Sequence, residues 1–395
     1  MRDYYDVCII GAGVVGSAIA RELATENFNE KFSIVVLDAK KSPGGETSLN
    51  NSGVLHSGLH EKPGSLKARL AHKGSRLARD FAKEHEVPIR HTGMLIAIPK
   101  GAVVGGLWKE WRMLWRLWRN GRAQNIPIEF LTRHGIHIKE PNIKARAGIF
   151  IRDVWVIDSR AFVEALTRSA ILHNIEFQFD HAVIAIKKCE CEFVITTSHG
   201  NIRTKAIINA AGLYADDIAN MALSENRYRI YPWRGEYYEI INPKKRNLVH
   251  GLVYPALPEN SAGKGIHFSP RPNGRMFLGP NAVPIERKND YTKNKTPSDV
   301  FLDAARKFLP ELTANDIEWS YSGIRPKLSR EPCEEDYRIS VDSVKPLLVN
   351  CIGIDSPGLS AGMGIAQYIC ALPPVYTTLD HIKEKEEKNN PHDNS

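Results

Sequence analysis

Gly11-Ala12-Gly13-Val14-Val15-Gly16 fits the spacing G-x-G-x-x-G, and an acid, Asp38, follows about twenty residues later. In this pattern the first glycine permits a tight turn and the second lets the backbone approach a diphosphate. The third lets helix and strand pack closely. The chemistry implied is dinucleotide recognition: the diphosphate rests where unpaired N–H groups and the dipole of a helix start favour negative charge, and the acid accepts hydrogen bonds from a ribose. Gly11, Gly13, Gly16 and Asp38 are therefore candidate cofactor-binding residues. The acid disfavours a 2′-phosphate but does not separate NAD from FAD.

A lone glycine motif is weak, so the elements around it carry the argument. Residues 4–10 (YYDVCII) read as a buried strand, Val14 to about Thr25 as a helix, and 33–38 (SIVVLD) as a second parallel strand, completing a βαβ unit. Residues 47–64, rich in Ser, Asn, Gly and Pro, read as a loop long enough to be functional, with a helix starting near Ser65. Alternation across 175–208 ends in Asn209-Ala210-Ala211-Gly212. Between 216 and 330, the pieces YYEII, GIHFSP and RMFLGP are broken by Pro and Gly and predict an antiparallel sheet in a second, substrate-facing domain. A last strand at 347–354 leads through Asp355-Ser356-Pro357-Gly358 into a helix from Leu359 to about Leu372. The polar segment 379–395 reads as a flexible tail.

The chain has 395 residues, enough for two packed cores, and its 43% apolar and 25% charged residues exclude wholesale disorder. A net charge of +8 favours anionic partners without naming them. No apolar run is long enough to cross a bilayer, and the first strand starts too near Met1 to leave room for a cleavable leader. The six cysteines lack zinc-ligand or C-x-x-C spacing, so no metal is expected and buried, reduced thiols in a cytosolic protein are the reading.

Four later segments are more specific: Thr47-Ser48-Leu49-Asn50-Asn51-Ser52-Gly53-Val54-Leu55-His56-Ser57-Gly58, then KPGSLKARL, Asn209-Ala210-Ala211-Gly212, and Gly353-Ile354-Asp355-Ser356-Pro357-Gly358-Leu359-Ser360. Together with RGEYYEI, GIHFSPRPNG, LGPNA and YSGIRPKL, they resemble the D-amino-acid-oxidase-like FAD superfamily over nearly the whole chain. The nearest group in this resemblance is L-2-hydroxyglutarate dehydrogenase/oxidase, with FAD-dependent glycerol-3-phosphate dehydrogenases beside it. The resemblance implies an α/β fold: a Rossmann-type, glutathione-reductase-like FAD-binding domain with a second, mainly antiparallel α+β substrate domain. The corresponding boundaries are 1–85, 150–222 and 335–378 for the FAD-binding domain, and 86–149 and 223–334 for the substrate domain. It also implies that Ser48, Asn51, Ser52 and Gly53 wrap the diphosphate and flavin and that Gly212 approaches the adenine side. Gly358, Leu359 and Ser360 would present a helix start to the flavin edge that becomes negative on reduction. The chain departs from the group at Asn50, where a basic residue is usual, and at Leu59-His60-Glu61, where an aromatic pair is usual.

Oxidising a 2-hydroxy acid moves a hydride from Cα to the flavin while a base takes the hydroxyl proton. His56, in the implied flavin loop, is the first candidate base; its alternatives are a hydrogen bond or a covalent link to the flavin. His267 is the second candidate, or else an ordinary strand histidine. Arg325, in SGIRP, is the candidate carboxylate clamp, since a guanidinium fork matches a carboxylate bidentately. Tyr254 and Lys327 are possible assistants in substrate binding, and Arg234 with Glu236 could equally be a structural pair. The function expected is oxidation of a small anionic substrate, L-2-hydroxyglutarate to 2-oxoglutarate, with glycerol 3-phosphate or an amino acid or amine as alternatives.

The segment 107–119 is basic and rich in tryptophan. On a helix, Leu107, Trp111, Leu114, Trp115 and Trp118 share one face, and Lys109, Arg112, Arg116 and Arg119 another. That pattern suits the headgroup boundary of an anionic membrane, with Trp111, Trp115, Trp118, Arg112 and Arg116 as contacts; packing on protein is the alternative. The expected location is cytoplasmic, peripheral on the inner face of the cell membrane if this helix binds lipid, with quinone or oxygen as electron acceptor. Nucleic acid is not expected as a partner, because charge alone is weak evidence for it.

Overall fold

The computed structural model describes residues 2–25, 33–100, 104–257, 263–333, 335–375 and 377–378, and leaves out the side chains of 104–110. The expected tail at 379–395 and the side chains of Leu107 and Lys109 therefore lie outside the described residues. Strand Tyr4–Ile10 pairs in parallel with Ile34–Leu37 on one side and with Gly200–Asn209 on the other. Covered on both faces and both edges, it reads as one continuous apolar run rather than an alternation. Glu176–Gln178 adds in parallel outside Ile34–Leu37, and Leu347–Ile352 outside the later half of Gly200–Asn209. Arg338–Val344 closes that edge antiparallel, while the hairpin Val183–Lys188 with Phe193–Thr197 extends from the earlier half. Helices Val14–Thr25, Leu66–Glu84, Ser159–Leu172 and Gly358–Cys370 share one apolar core with this sheet, including Val15, Ala78, Phe162 and Ile365.

Among the described residues the second sheet has nine strands running, in sheet order, Val283–Pro284, Tyr231–Ile240, Met276–Gly279, His267–Pro270, Leu252–Pro255, Met94–Pro99, Ala145–Ile151 and Glu129–Thr132, with Ile317–Lys327 also paired to Tyr231–Ile240. It is antiparallel except where Leu252–Pro255 meets Met94–Pro99. This is the mainly antiparallel partner that the sequence predicts. A three-stranded sheet, Val54–Leu55, Trp155–Ile157 and Ile89–His91, stands beside it. Val54, Leu59, Val154 and Val156 pack in one cluster with Met94, Ile96 and Tyr254, so a shared core joins the two sequence-defined regions.

Two expectations need correction. Of the six cysteines only Cys8, Cys351 and Cys370 are buried, whereas Cys191 and Cys333 are exposed. The Trp/Arg segment is a helix, Val104–Ala123, but Leu114 parts from the tryptophans grouped with it on one face: Leu114 and Leu117 form the buried stripe. Trp111 and Trp115 are 48% and 53% exposed and lie on the flank of the helix. At about 100° per residue Leu117 stands about 60° to one side of Leu114, and Trp111 and Trp115 about 60° and 100° to the other, so the tryptophans fall away from the leucine stripe. Trp118 is half-buried, against Phe130.

Candidate active site

The glycine turn follows directly from Ile10 into helix Val14–Thr25. Gly11 has φ +104°, and a Cβ there would lie 2.5 Å from the Ala210 carbonyl oxygen, so no side chain fits. Gly16 allows the helix onto the turn: a Cβ would stand 1.8 Å from the Gly11 carbonyl oxygen. The helix has no acid in its first turn, which leaves its start hospitable to an anion. Ser48 reaches this point from the long loop, its hydroxyl accepting the Val14 N–H at 3.0 Å. Asp38 follows immediately after the second strand and accepts the N–H groups of Ala12 at 2.7 Å and Lys40 at 2.8 Å. Burial pushes its carboxyl above the usual range, against those two hydrogen bonds.

A cavity of about 540 Å³ begins here and runs between the two sheets. On the Rossmann side it is lined by Gly11, Gly13, Asp38, Ser48, Asn51, Ser52 and Gly212. On the other side it is lined by His56, Tyr254, His267, Arg325 and Lys327, so the sequence-selected histidines and cations meet the sequence-selected glycines in one space. Gly358 and Leu359 line it too. They open helix Gly358–Cys370, whose start carries no side-chain cap.

Gly16, Gly53 and Ser360 do not line the cavity. The buried Ser360 hydroxyl accepts the His56 N–H at 2.9 Å and donates to the Val54 carbonyl at 3.1 Å, tying the last helix to the histidine loop. Asn51 accepts the Gly53 N–H at 2.7 Å and the Ser159 hydroxyl at 2.8 Å through its side-chain oxygen, which shapes the turn before His56.

Burial holds the His56 imidazole well below its ordinary range, and Lys264, His60 and His267 push the same way. It is therefore neutral near pH 7, the form that can accept a proton. His267 is pushed down to about 3, again chiefly by burial. Its Nδ1 lies 2.8 Å from the Gly265 carbonyl, which makes Nδ1 the donor and leaves Nε2 as the acceptor. The ring stacks on Tyr254 with centroids 3.7 Å apart. Lys327 lines the cavity, yet its ammonium donates to the Cys333 carbonyl at 2.9 Å and lies 4.0 Å from Asp355.

Sequence reasoning missed several residues. Lys264 lines the cavity beside His267 and is paired to buried Glu61 at 3.0 Å, which accounts for one departure from the usual aromatic pair. A lysine between two glycines three residues before His267 was the available signal. Arg271 donates to the Asn51 carbonyl at 2.7 Å and to the Tyr321 hydroxyl, holding the loop from beneath. Tyr237 lines the cavity, stacked on Tyr321.

The arrangement suits FAD. A Cβ at Gly13 would fall 2.9 Å from the Ser48 hydroxyl and fill the gap beside the helix start, while at Gly212 a Cβ would meet nothing within 4 Å. Gly11, Gly13, Asp38, Ser48 and Gly212 would hold the dinucleotide, and His56 and Arg325 line the same cavity. Fold and cavity together define a flavin-dependent oxidoreductase.

Comparison with known proteins agrees. The family described as "FAD dependent oxidoreductase" (DAO) matches residues 6–372, and the chain belongs to it. The chain is 28% identical to a glycerol 3-phosphate dehydrogenase of Caloramator mitchellensis, covering 98% of this chain and 77% of that protein. It is 26% identical to an L-2-hydroxyglutarate dehydrogenase of Indibacter alkaliphilus, covering 93% of this chain and 98% of that one. Among solved structures, the FAD-bound, dithionite-reduced L-alpha-glycerophosphate oxidase of Mycoplasma pneumoniae superposes with a TM-score of 0.82 at 25% identity, over 96% of this chain and 95% of that one. A glycine oxidase from Geobacillus kaustophilus shares the fold, with a TM-score of 0.76 at 18% identity over 96% and 95% of the two chains.

Proposed function

We propose that this enzyme oxidises the hydroxyl-bearing carbon of a small anionic substrate, L-2-hydroxyglutarate to 2-oxoglutarate in the first instance. The observation that carries the reading is one cavity with a neutral histidine pair, His56 and His267, beside the cations Arg325 and Lys264. Bound FAD supplies the two-electron acceptor. His56 takes the hydroxyl proton, with His267 as the second candidate for that role, and Arg325 holds the carboxylate next to the reacting carbon. Lys264 offers a second cation for the distal anionic group, and Tyr254 walls the pocket. On this reading 1–85, 150–222 and 335–378 serve the cofactor, and 86–149 and 223–334 the substrate.

Lys264 also favours a second substrate, glycerol 3-phosphate, whose compact dianion suits an ammonium as well as a guanidinium. Dye-linked turnover with L-2-hydroxyglutarate, its D-enantiomer, glycerol 3-phosphate, glycine and L-proline separates these readings. Turnover confined to the amino acids overturns both.

The helix Val104–Ala123 supports peripheral attachment to an anionic membrane, with quinone or oxygen as acceptor. Trp111, Trp115 and Phe130 are about half exposed, and Arg112 and Arg119 stand exposed among them. Arg119 lies 5.0 Å from the Trp115 ring and Arg122 5.3 Å from that of Trp118, so charge and aromatic surface are interleaved. No described helix is long and apolar enough to cross a membrane. Flotation with phosphatidylglycerol vesicles tests attachment: the wild type floats and a Trp111→Ser, Trp115→Ser, Arg112→Glu, Arg116→Glu variant does not. Equal behaviour of the two removes the proposal.

A further inference from the structure

The RGE run at 234–236 lies beside Arg325 in space, and its role follows from strand register. Tyr231–Ile240 and Ile317–Lys327 pair antiparallel with Trp233 opposite Arg325 and Gly235 opposite Gly323. On one face of such a pair the diagonal neighbour of Arg325 is Gly235, within reach of a long side chain. The Arg325 guanidinium lies across that glycine: a Cβ at 235 would stand 2.7 Å from its Nη2 and 3.0 Å from its Cζ. Any larger residue would take the volume that the guanidinium occupies.

The guanidinium is also held from its other side. Both terminal nitrogens donate to the Asn281 carbonyl oxygen, at 3.2 and 3.1 Å. Asn281 is fixed in turn by Glu236: its side-chain amide donates to the Glu236 carboxylate at 2.9 Å and to the Thr296 hydroxyl at 2.8 Å, and its oxygen accepts the Glu236 N–H at 2.7 Å. Glu236 is fully buried, and the Thr296 N–H and hydroxyl also donate to it. Buried Arg234, 3.8 Å from Glu236, donates to the carbonyls of Lys293 at 2.5 Å and Asn294 at 2.8 Å and clamps the same loop.

We infer that Gly235, Glu236 and Asn281 are positioning residues for Arg325, setting its guanidinium over the cavity before substrate arrives. The inference rests on the reading of Arg325 as the substrate's anion clamp. A side chain with this much torsional freedom loses entropy when it is ordered, and fixing it in advance removes that loss from the binding step. Two of its N–H donors are committed to Asn281, and the fork offers five in all. The RGE run thus acts on substrate affinity and orientation, and leaves the FAD cradle alone.

The test is a double-mutant cycle on FAD-loaded enzyme. Gly235→Ala, Arg325→Ala and the double variant are titrated with glutarate and with inorganic phosphate, neither oxidisable, and binding is read from perturbation of the flavin spectrum. FAD content and thermal midpoint are measured alongside. Gly235→Ala weakens the binding anion about tenfold to fiftyfold in the wild-type background, a displacement of the order known to cost up to a hundredfold. In the Arg325→Ala background it has no further effect, and KM rises more than kcat falls. Asn281→Ala keeps the carbonyl, loses the Glu236 tether and gives the same pattern at smaller size, and it decides the matter if Gly235→Ala does not fold. Unchanged anion binding in Arg325→Ala defeats the clamp reading itself. Loss in Arg325→Ala with neither Gly235→Ala nor Asn281→Ala affecting affinity overturns the positioning inference alone. Equal losses in both backgrounds also overturn it.

Discussion

Replacing Gly323 by alanine should open the flavin loop without touching the glycine motif. The loop passes directly over this strand position, and a methyl there would lie 1.7 Å from the Asn50 carbonyl oxygen. An unstrained contact needs roughly 3.5 Å, so the loop must retreat by about 1.5 Å or more. Three hydrogen bonds that tie the loop to the second sheet do not survive such a shift. They are Thr47 hydroxyl to the Ile324 carbonyl at 2.8 Å, Tyr321 hydroxyl to the Asn51 carbonyl at 2.9 Å, and Arg271 to the Asn51 carbonyl at 2.7 Å. At about 1 kcal/mol each, their loss removes about 3 kcal/mol from the closed loop. If the closed loop is the form that grips FAD, affinity falls about a hundredfold. Titration of apoprotein with FAD, followed by quenching of flavin fluorescence, reads this directly, and circular dichroism verifies that the variant is folded. A folded Gly323→Ala protein that binds FAD within about threefold of wild type refutes the reasoning.

Three further outcomes follow from the same geometry. Ser360→Ala leaves the buried His56 N–H unpaired and lowers stability by about 1–3 kcal/mol, seen as a lower urea midpoint at unchanged slope; an unmoved midpoint contradicts the bridge. His56→Asn lowers kcat about 10²- to 10⁴-fold with FAD retained, and the wild-type acid limb of kcat/KM lies below 6.5 because burial depresses this imidazole. The same acid limb persisting in the variant would move the base elsewhere, His267 first. His267 titrates at about 3 when folded and 6.5 when unfolded, so protons bind the unfolded chain first. Stability is lost as pH falls from 6.5 toward 3, by up to about 1.4 kcal/mol per unit, and urea unfolding of His267→Asn shows a flatter acid side than wild type. Identical slopes would mean that this ring is not kept neutral by burial.

What was legible in the sequence was local. Gly11, Gly13 and Gly16 act through backbone geometry within six residues, and Asp38 directly follows the next strand, so spacing alone exposes them. Family-like segments brought in Ser48, Asn51 and the last helix start. What was not legible depends on register across strands far apart in the chain. Gly323 matters because the Asn50 carbonyl passes over it, and Gly235 because Arg325 leans across it. Arg271 reads as a surface arginine until the hairpin delivers it beneath Asn51. On the tryptophan helix, Trp111 and Trp115 are exposed as a surface-facing pattern requires, whereas the grouping of Leu114 with them fails because packing takes Leu114 and Leu117 into the interior.

The central claim is that one cavity brings a bound flavin and an anionic hydroxy compound together. Anaerobic mixing of purified, FAD-loaded enzyme with L-2-hydroxyglutarate or glycerol 3-phosphate, with flavin absorbance recorded, tests it most directly. The account predicts rapid bleaching by at least one of the two, and loss of that bleaching at low substrate concentration in Arg325→Ala. A flavin that stays oxidised with both and is reduced only by an amino acid contradicts it.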